Sequence, residues 1–205
     1  MALTAARSSR RYRGASLAVV VVVAALGTGA WVGREWLLLS AADLWIVSDP
    51  IGPADAVAVF GGGIADRPFA AANYYRQGLV KKVLVSNGVA MSGVAANEGV
   101  LLKLGVPANA IEIFGNALAN THQEVLALRG WAERNNACSI IVPTEIFSAR
   151  RVRWMLHRAF PSKCAIRVIA LDLPQNRRDD WWRHREAVSA LKTEVIKYLY
   201  YVLRY

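Results

Sequence analysis

The chain has 205 residues, of which 55% are hydrophobic and 20% are charged, and its formal net charge is +10. This composition excludes an intrinsically disordered protein, and it leaves room for one domain of about 150 residues after an N-terminal anchor and connector. The positive charge suits an anionic partner, but no nucleic-acid recognition motif accompanies it. We therefore expect an anionic ligand and no nucleic acid as partners.

The N-terminal region has the pattern of a membrane anchor. A basic leader, residues 1–13, contains four arginines and is followed by residues 14–33, which contain no charged residue. Twenty helical residues span about 30 Å, the thickness of the hydrocarbon core of a bilayer. The positive-inside rule then predicts a single-pass protein of the bacterial cytoplasmic membrane, with its N-terminus in the cytoplasm and its domain on the periplasmic side. A cleaved signal peptide is the alternative, although its apolar region would be unusually long.

The remaining chain predicts a connector and one α/β domain. Residues 34–53 are interpreted as an amphipathic connector, because Asp49-Pro50 and Gly52-Pro53 break the chain after a leucine-rich segment. In residues 54–205, apolar strands alternate with helices, as is typical of a parallel sheet covered on both faces. The predicted strands are 56–60, 83–86, 111–114, 139–142 and 166–171, and the predicted helices are 69–77, 97–104, 121–134, 146–159 and 186–203. The fold expected is a Rossmann-like, doubly wound, mainly parallel five-stranded sheet, preceded by one transmembrane helix.

The loop after the first predicted strand is the first candidate for ligand binding, since such sheets bind ligands at the carboxyl ends of their strands. Gly61, Gly62 and Gly63 would let backbone N–H groups approach an anion, although a tight turn would also explain them. They match neither the dinucleotide fingerprint nor a P-loop. Arg67 is either a clamp for a phosphate or carboxylate or a solvated surface arginine.

The loop after the second predicted strand offers several polar groups. Ser86, Asn87 and Gly88 supply a hydroxyl, an amide and a backbone N–H. Glu98, at the predicted start of the next helix, is a candidate catalytic carboxylate, although it could simply complement the helix dipole. Acid–base work by such a carboxylate requires a raised pKa.

The later loops complete the set of candidates. Asn120 and Thr121 precede or begin a helix, and Thr121 with Glu124 has the spacing of a capping box, which needs no ligand. Glu124 is nevertheless the second candidate catalytic carboxylate. The loop after the fourth strand adds candidate ligand-binding residues, namely Thr144, Ser148 and Arg151.

The cysteines and histidines point to no metal site, since none of them clusters with metal-ligand spacing, and we expect no metal and no cofactor. Cys138 precedes the fourth predicted strand and Cys164 precedes the fifth. If these parallel strands are neighbours, both cysteines lie at the sheet edge opposite the crevice, within reach of each other. An oxidising compartment would then favour a disulfide, and two buried free thiols are the alternative.

An ordered series of motifs runs through residues 54–205. It comprises residues 54–62, Arg67 with Ala71, Tyr75, Gly78, residues 85–88, Asn97-Glu98, residues 104–107, Asn120-Thr121 with Glu124, Pro143-Thr144, and Arg151. In this order the motifs resemble the YdcF/SanA/ElyC-like domain of bacterial envelope proteins. Two positions depart from that family: Asn87 stands where relatives have glycine, and Ser148 stands where many have histidine.

The resemblance implies a Rossmann-like domain with a polar crevice and a role in peptidoglycan or lipid-carrier metabolism. The first functional hypothesis is a crevice that binds, and could act on, a small or lipid-linked anionic ligand, a phosphate-bearing envelope precursor. The alternatives are a non-enzymatic accessory protein of an envelope-biogenesis complex and an enzyme that binds S-adenosylmethionine or a nucleotide.

Overall fold

The computed structural model describes residues 3–62, 66–89, 91–174 and 176–205, although the side chains of residues 3–17, 91 and 92 lie outside this description. Gly63, a candidate ligand-binding residue, therefore falls outside the described residues. Contacts between Cα atoms divide the chain into two compact units, Met1–Ala42 and Asp43–Tyr205. The candidate functional residues that are described all belong to the second unit.

The first unit contains helix α1 (Leu3–Val32) and most of helix α2 (Arg34–Trp45). In the part of the chain that the structure describes, no single helix is both long and apolar enough to cross a membrane. Ala18–Val32 and α2 together meet the length and composition required, but the pair is bent by 68°. The single transmembrane helix over residues 14–33 stays a prediction.

The second unit is built on a five-stranded sheet in which every strand pair is parallel, with the order β3-β2-β1-β4-β5. The prediction of an α/β domain with a parallel five-stranded sheet is confirmed. The order places β4 on the other side of β1 from β2, so the connections change direction between β1 and β4. The strands are β1 (Ala56–Val59), β2 (Lys82–Gly88), β3 (Ile111–Leu118), β4 (Ser139–Glu145) and β5 (Ala165–Leu171).

Helices cover both faces of this sheet because the strands are apolar on both sides. On one face, Ala58 and Val142 belong to a core with residues of α5 and α6, whereas Val57 and Ile141 belong to a second core with residues of α3 and α4. The alternation follows from the two-residue period of a strand. The helices are α3 (Arg67–Arg76), α4 (Met91–Lys103), α5 (Thr121–Arg134), α6 (Ala149–Ala159) and α7 (Arg185–Arg204).

Two predicted helix starts are wrong. Helix α4 begins at Met91 rather than at residue 97, and Gly93 lies in its first turn. Glu98 therefore lies within α4, rather than at its amino end, where we expected it. Helix α6 begins at Ala149 rather than at residue 146, because β4 continues to Glu145 and a turn separates the two elements.

The segment after α2 covers the outer edge of β5. The backbone N–H of Asp49 donates to the carbonyl of Val168 at 2.8 Å, and its carboxylate accepts from the N–H of Val168 at 2.8 Å. The Ser48 hydroxyl accepts from the N–H of Ala170 at 3.1 Å. These bonds satisfy backbone groups that an edge strand otherwise exposes.

A disulfide joins Cys138 and Cys164, whose Cα atoms are 4.6 Å apart. Cys138 directly precedes β4 and Cys164 directly precedes β5, so both stand at the amino ends of adjacent strands. The disulfide therefore lies at the edge of the sheet opposite the carboxyl ends of the strands.

Candidate functional site

A cleft of about 780 Å³ opens at the carboxyl ends of β1 and β4, where the connections of the sheet change direction. This is the place where open parallel sheets bind ligands. The loop after β1 supplies Gly61 and Gly62, and the loop after β4 supplies Phe147 and Ser148. Helix α7 forms the opposite wall through Ser189, Thr193 and Glu194.

Glu124, on the first turn of α5, ties three elements together beneath the cleft. Its Oε1 accepts from the backbone N–H of Gly61 at 2.6 Å and from the Ser86 hydroxyl at 2.7 Å. The side chain is nearly buried, with a residue exposure of 7%. Ser86 thus acts behind Glu124 and holds its carboxylate in one orientation.

The capping box predicted for Thr121 and Glu124 is wrong. Asn120 is the N-cap of α5, and its side chain accepts from the N–H of Gln123 at 3.1 Å. The side chain of Gln123 in turn accepts from the N–H of Ala119 at 2.7 Å. Asparagine caps helices at least as well as threonine. Because Asn120 is the cap, the side chains of Thr121 and Glu124 are not needed for capping, and both line the cleft.

Arg67 is a buried member of the site and not a solvated surface residue. Its Nη1 donates to the carbonyls of Phe60 at 3.0 Å and Gly61 at 2.6 Å, and its Nη2 pairs with Glu145 Oε2 at 2.5 Å. The side chains of Arg67 and Glu145 are 11% and 22% exposed. Arg67 therefore fixes the backbone of the glycine loop against the end of β4.

Ser148 and Thr144 complete the surroundings of Glu145. The Ser148 hydroxyl lies 3.1 Å from Glu145 Oε2 and 3.0 Å from the Thr144 hydroxyl. Thr144 and Ser148 are 2% and 6% exposed, so both are held within the wall of the cleft. Through this hydrogen bond the Ser148 hydroxyl stabilises the Glu145 carboxylate.

Arg151 anchors the other side of the cleft. Its Nε pairs with Glu194 Oε2 at 2.7 Å, and its Nη1 donates to the Thr121 hydroxyl at 3.0 Å. The guanidinium also lies 5.5 Å from the ring centre of Tyr201. Lys197 completes the group, because its Nζ lies 2.9 Å from Glu194 Oε1.

The cleft has a mixed charge. Three cations line it, namely Arg67, Arg151 and Lys197, and so do four acidic residues, namely Asp66, Glu124, Glu145 and Glu194. Helices α3, α5 and α6 also begin at this edge of the sheet, and the amino ends of helices carry partial positive charge. The site therefore offers a ligand both hydrogen-bond donors and hydrogen-bond acceptors.

The carboxyl groups of the two buried ion pairs have lowered pKa values. Burial would by itself raise the pKa of Glu145, but the charge and hydrogen bond of Arg67 outweigh burial and bring the pKa below its ordinary value. For Glu194 burial acts in the same direction, and the hydrogen bond and charge of Arg151, with Lys197, again lower the pKa. Both groups are therefore held in the charged form in the folded protein.

Acidification is expected to destabilise the protein through these two glutamates. Because their folded pKa values lie below the unfolded value of about 4.3, their contribution is complete above that pH and is lost as the pH falls through the folded pKa. We expect the free energy of unfolding to fall from about pH 4.5 downward, as measured by urea unfolding between pH 3 and pH 7. A Glu145→Gln/Glu194→Gln variant should show a shallower slope there, and an unchanged slope would contradict the assignment.

The structure brings together seven of the predicted residues around the cleft: Gly61, Gly62, Arg67, Thr121, Glu124, Ser148 and Arg151. Ser86 and Thr144 stand behind these residues, and Asn120 caps a helix. Asn87, Gly88 and Glu98 are not among the described residues that line the cleft. Glu98 lies within α4, which packs against β2 and β3, and its catalytic role stays a prediction.

Sequence reasoning missed Glu145, Glu194 and Lys197. Glu145 directly follows Thr144 at the end of a strand, so its position alone was a usable signal. Glu194 lies seven residues after Ala187, which is buried, and seven before Tyr201. A glutamate on the buried stripe of a helix indicates a buried partner, since unpaired charges are costly inside a protein.

No protein-family model matches this chain, and no curated protein matches it either. Within the described residues, no group of three or more His, Cys, Asp or Glu side chains is placed to hold a metal ion.

Proposed function

We propose that this chain is a membrane-anchored envelope protein whose cleft binds an anionic, phosphate-bearing precursor of the cell envelope. The observation that carries the proposal is the guanidinium of Arg151, nearly buried and held at the cleft by Glu194 and Thr121. Arginine has five N–H donors. Two of them have partners among the described residues, which leaves three for a ligand.

The ion pairs support binding because they fix the cations in advance. Arg67 and Arg151 are each held by a glutamate, so a ligand phosphate would meet guanidinium groups whose side-chain entropy is already lost. The amino ends of α3, α5 and α6 add positive potential in the same region. The glutamates already balance the charge of both arginines, which favours a ligand with further binding groups besides its phosphate.

The acidic and hydroxyl side chains of the cleft are suited to bind hydroxyl groups elsewhere on such a ligand. Glu124, Thr193 and Ser189 line the same cleft. Carboxylates accept hydrogen bonds from sugar hydroxyls, and threonine and serine both donate and accept them. A sugar phosphate, free or linked to a lipid, combines the two chemistries.

Two features outside the cleft support the envelope location. The N-terminal 33 residues combine a basic leader with an uncharged segment of twenty residues, the pattern of an anchor. The Cys138–Cys164 disulfide is typical of proteins in oxidising compartments such as the periplasm. The family resemblance of residues 54–205 points in the same direction.

Ligand binding is tested by the thermal stability of the full chain in mild detergent. Undecaprenyl phosphate, glucose 1-phosphate and inorganic phosphate serve as probes, because they share a phosphate and differ in lipid and sugar. A ligand that binds only the folded state stabilises it by RT ln(1 + [L]/Kd), about 2.7 kcal/mol at one hundred times Kd. We expect stabilisation by at least one of the two organic phosphates, exceeding that by inorganic phosphate.

The Arg151→Lys variant is the matched test, because lysine keeps the positive charge but lacks the planar guanidinium group that can donate two parallel hydrogen bonds to a phosphate. The ligand-induced shift should fall strongly in this variant and persist in Arg76→Lys, which changes an exposed arginine on α3. Absence of a shift with every probe would overturn the proposed ligand class. That result would favour a non-enzymatic accessory protein.

A further inference from the structure

A second cavity, of about 410 Å³, lies on the outer face of α6, away from the cleft. Its lining residues recur at helical spacing: Arg150, Arg153, Trp154, His157 and Arg158, with Val47 and Tyr198 opposite. We propose that this basic pocket binds the phosphate headgroup of an anionic membrane lipid and holds the domain against the bilayer surface. The proposal concerns a site separate from the ligand cleft.

The charge of the basic pocket is strongly positive. Three arginines line it, and the described lining contains no acidic residue. Asp49 pairs with Arg153 at 2.8 Å, just outside the lining, and offsets one of these charges. Two arginine charges remain at Arg150 and Arg158, beside the imidazole of His157. In the cleft, by contrast, acidic residues pair with both arginines.

The walls of the basic pocket are aromatic and ordered by mutual contacts. The Trp45 and Tyr198 rings meet edge to face at 5.6 Å, and the Trp154 and Tyr198 rings do so at 6.4 Å. The guanidinium of Arg158 lies 5.6 Å from the ring centre of Trp154. Tryptophan and tyrosine are the residues that proteins place at the level of lipid headgroups.

Arg150 ties the basic pocket to the residues that follow the first unit. Its guanidinium donates to the backbone carbonyls of Leu44 and Trp45, at the end of α2. These residues follow Ala42, where the first unit ends. The basic pocket therefore lies beside the first residues of the second unit, which follow the proposed anchor in the chain.

An exposed apolar stripe on α7 continues from the basic pocket. Val202 lies one turn beyond Tyr198, and next to it on the helix are Leu199 and Leu203, which are 54% and 87% exposed. Ile196 adds to the stripe at 68% exposure. Lys192 is exposed on the same face, one turn before Ile196, and residues 192–204 expose no acidic side chain.

Exposed apolar residues with a lysine on the same face and a basic pocket beside them are the pattern of a helix that lies in the membrane interface. A protein partner would also cover an apolar stripe, but it would not require a basic pocket with tryptophan at its border. The charge of the pocket and the stripe beside it together favour an anionic bilayer as the single occupant.

The test measures lipid retention by the full chain purified in detergent. Phosphatidylglycerol and phosphatidylcholine are titrated separately, and bound lipid is counted by native mass spectrometry; inorganic phosphate is the third arm. We expect tighter binding of phosphatidylglycerol than of phosphatidylcholine. The Arg153→Gln/Arg158→Gln variant should bind phosphatidylglycerol at least about tenfold more weakly, since each cation near an anionic lipid surface contributes roughly fivefold.

The Arg158→Gln single variant guards against misfolding, because Arg158 is exposed and its guanidinium lies over the Trp154 ring without a buried ion pair among the described residues. It should lose roughly fivefold in phosphatidylglycerol affinity while retaining the stability of the parent chain. The matched control, Arg76→Gln/Lys103→Gln, removes two exposed cations from α3 and α4 and should retain binding.

Three results would overturn the proposal. Equal loss in the control would show that net charge alone attracts the lipid, and equal binding of both lipids would exclude recognition of an anionic headgroup. Inorganic phosphate that displaces the lipid completely at millimolar concentration would identify a site for free phosphate. Arg151→Lys should leave lipid binding unchanged, so failure of this proposal and failure of the cleft proposal are distinguishable.

Discussion

The Glu194→Ala variant is expected to lower the free energy of unfolding by about 3–5 kcal/mol, the largest effect of a single substitution that the site predicts. Glu194 accepts from Arg151 Nε at 2.7 Å, and the two side chains are only 11% and 8% exposed. Removing the carboxylate leaves the Arg151 guanidinium buried without its counter-charge. It also leaves Lys197 without the partner that it has 2.9 Å away. Urea unfolding of the full chain in mild detergent, followed by tryptophan fluorescence, measures the loss.

Glu133→Ala is the matched control for this prediction. Glu133 pairs with Arg129 on the surface of α5, where the two side chains are 61% and 46% exposed. Such exposed pairs contribute about 0.5 kcal/mol or less. A double variant, Arg151→Met/Glu194→Leu, should be more stable than Glu194→Ala, because it buries no unpaired charge. Equal losses of stability in Glu194→Ala and Glu133→Ala would contradict the prediction, because breaking the buried pair would then cost no more than breaking an exposed one.

The Cys138→Ala/Cys164→Ala variant is expected to lose about 3.5 kcal/mol of stability, the second large effect. The disulfide closes a chain segment with a sequence separation of 26 residues. In the chain-entropy account, the bond restricts the unfolded state, so its removal favours unfolding. Urea unfolding of the oxidised parent chain and the variant measures the difference.

Reduction provides the control for the disulfide prediction. Dithiothreitol should lower the stability of the parent chain towards that of the variant, and should leave the variant unchanged. Mass spectrometry after alkylation, without prior reduction, should find no modified cysteine in the native protein. Two alkylated thiols in the native, unreduced chain would contradict the disulfide.

Local sequence patterns were sufficient to predict most strands and helices of the second unit. The apolar strands around Val57, Val83 and Ile140 needed no tertiary information, since a strand buried on both faces is apolar throughout. The predicted bounds of α5, residues 121–134, match the structure. The start of α4 was missed because glycine lowers helix propensity, and Gly93 stands in its first turn.

The candidate site was predictable where its residues follow the carboxyl end of a strand. Gly61, Arg67, Ser148 and Arg151 were found because parallel strands bring their carboxyl ends to one edge of the sheet. Glu124 was found by its spacing and motif, but it was paired with Thr121 as a capping box. Asn120 and Thr121 are both suitable cap residues, and only the backbone angles decide that Asn120 is the cap.

The sequence by itself determined the alternation of strands and helices and the edge at which polar residues gather. The closeness of the two cysteines depended on β4 and β5 being neighbours, which the structure shows. The tertiary structure alone decided that α7 returns across that edge and brings Glu194 to Arg151, 43 residues away in the chain. It also decided the partner of Arg67, which is Glu145, 78 residues away. Local patterns encode which face of an element is buried, whereas the pairing of buried charges depends on how whole elements pack together.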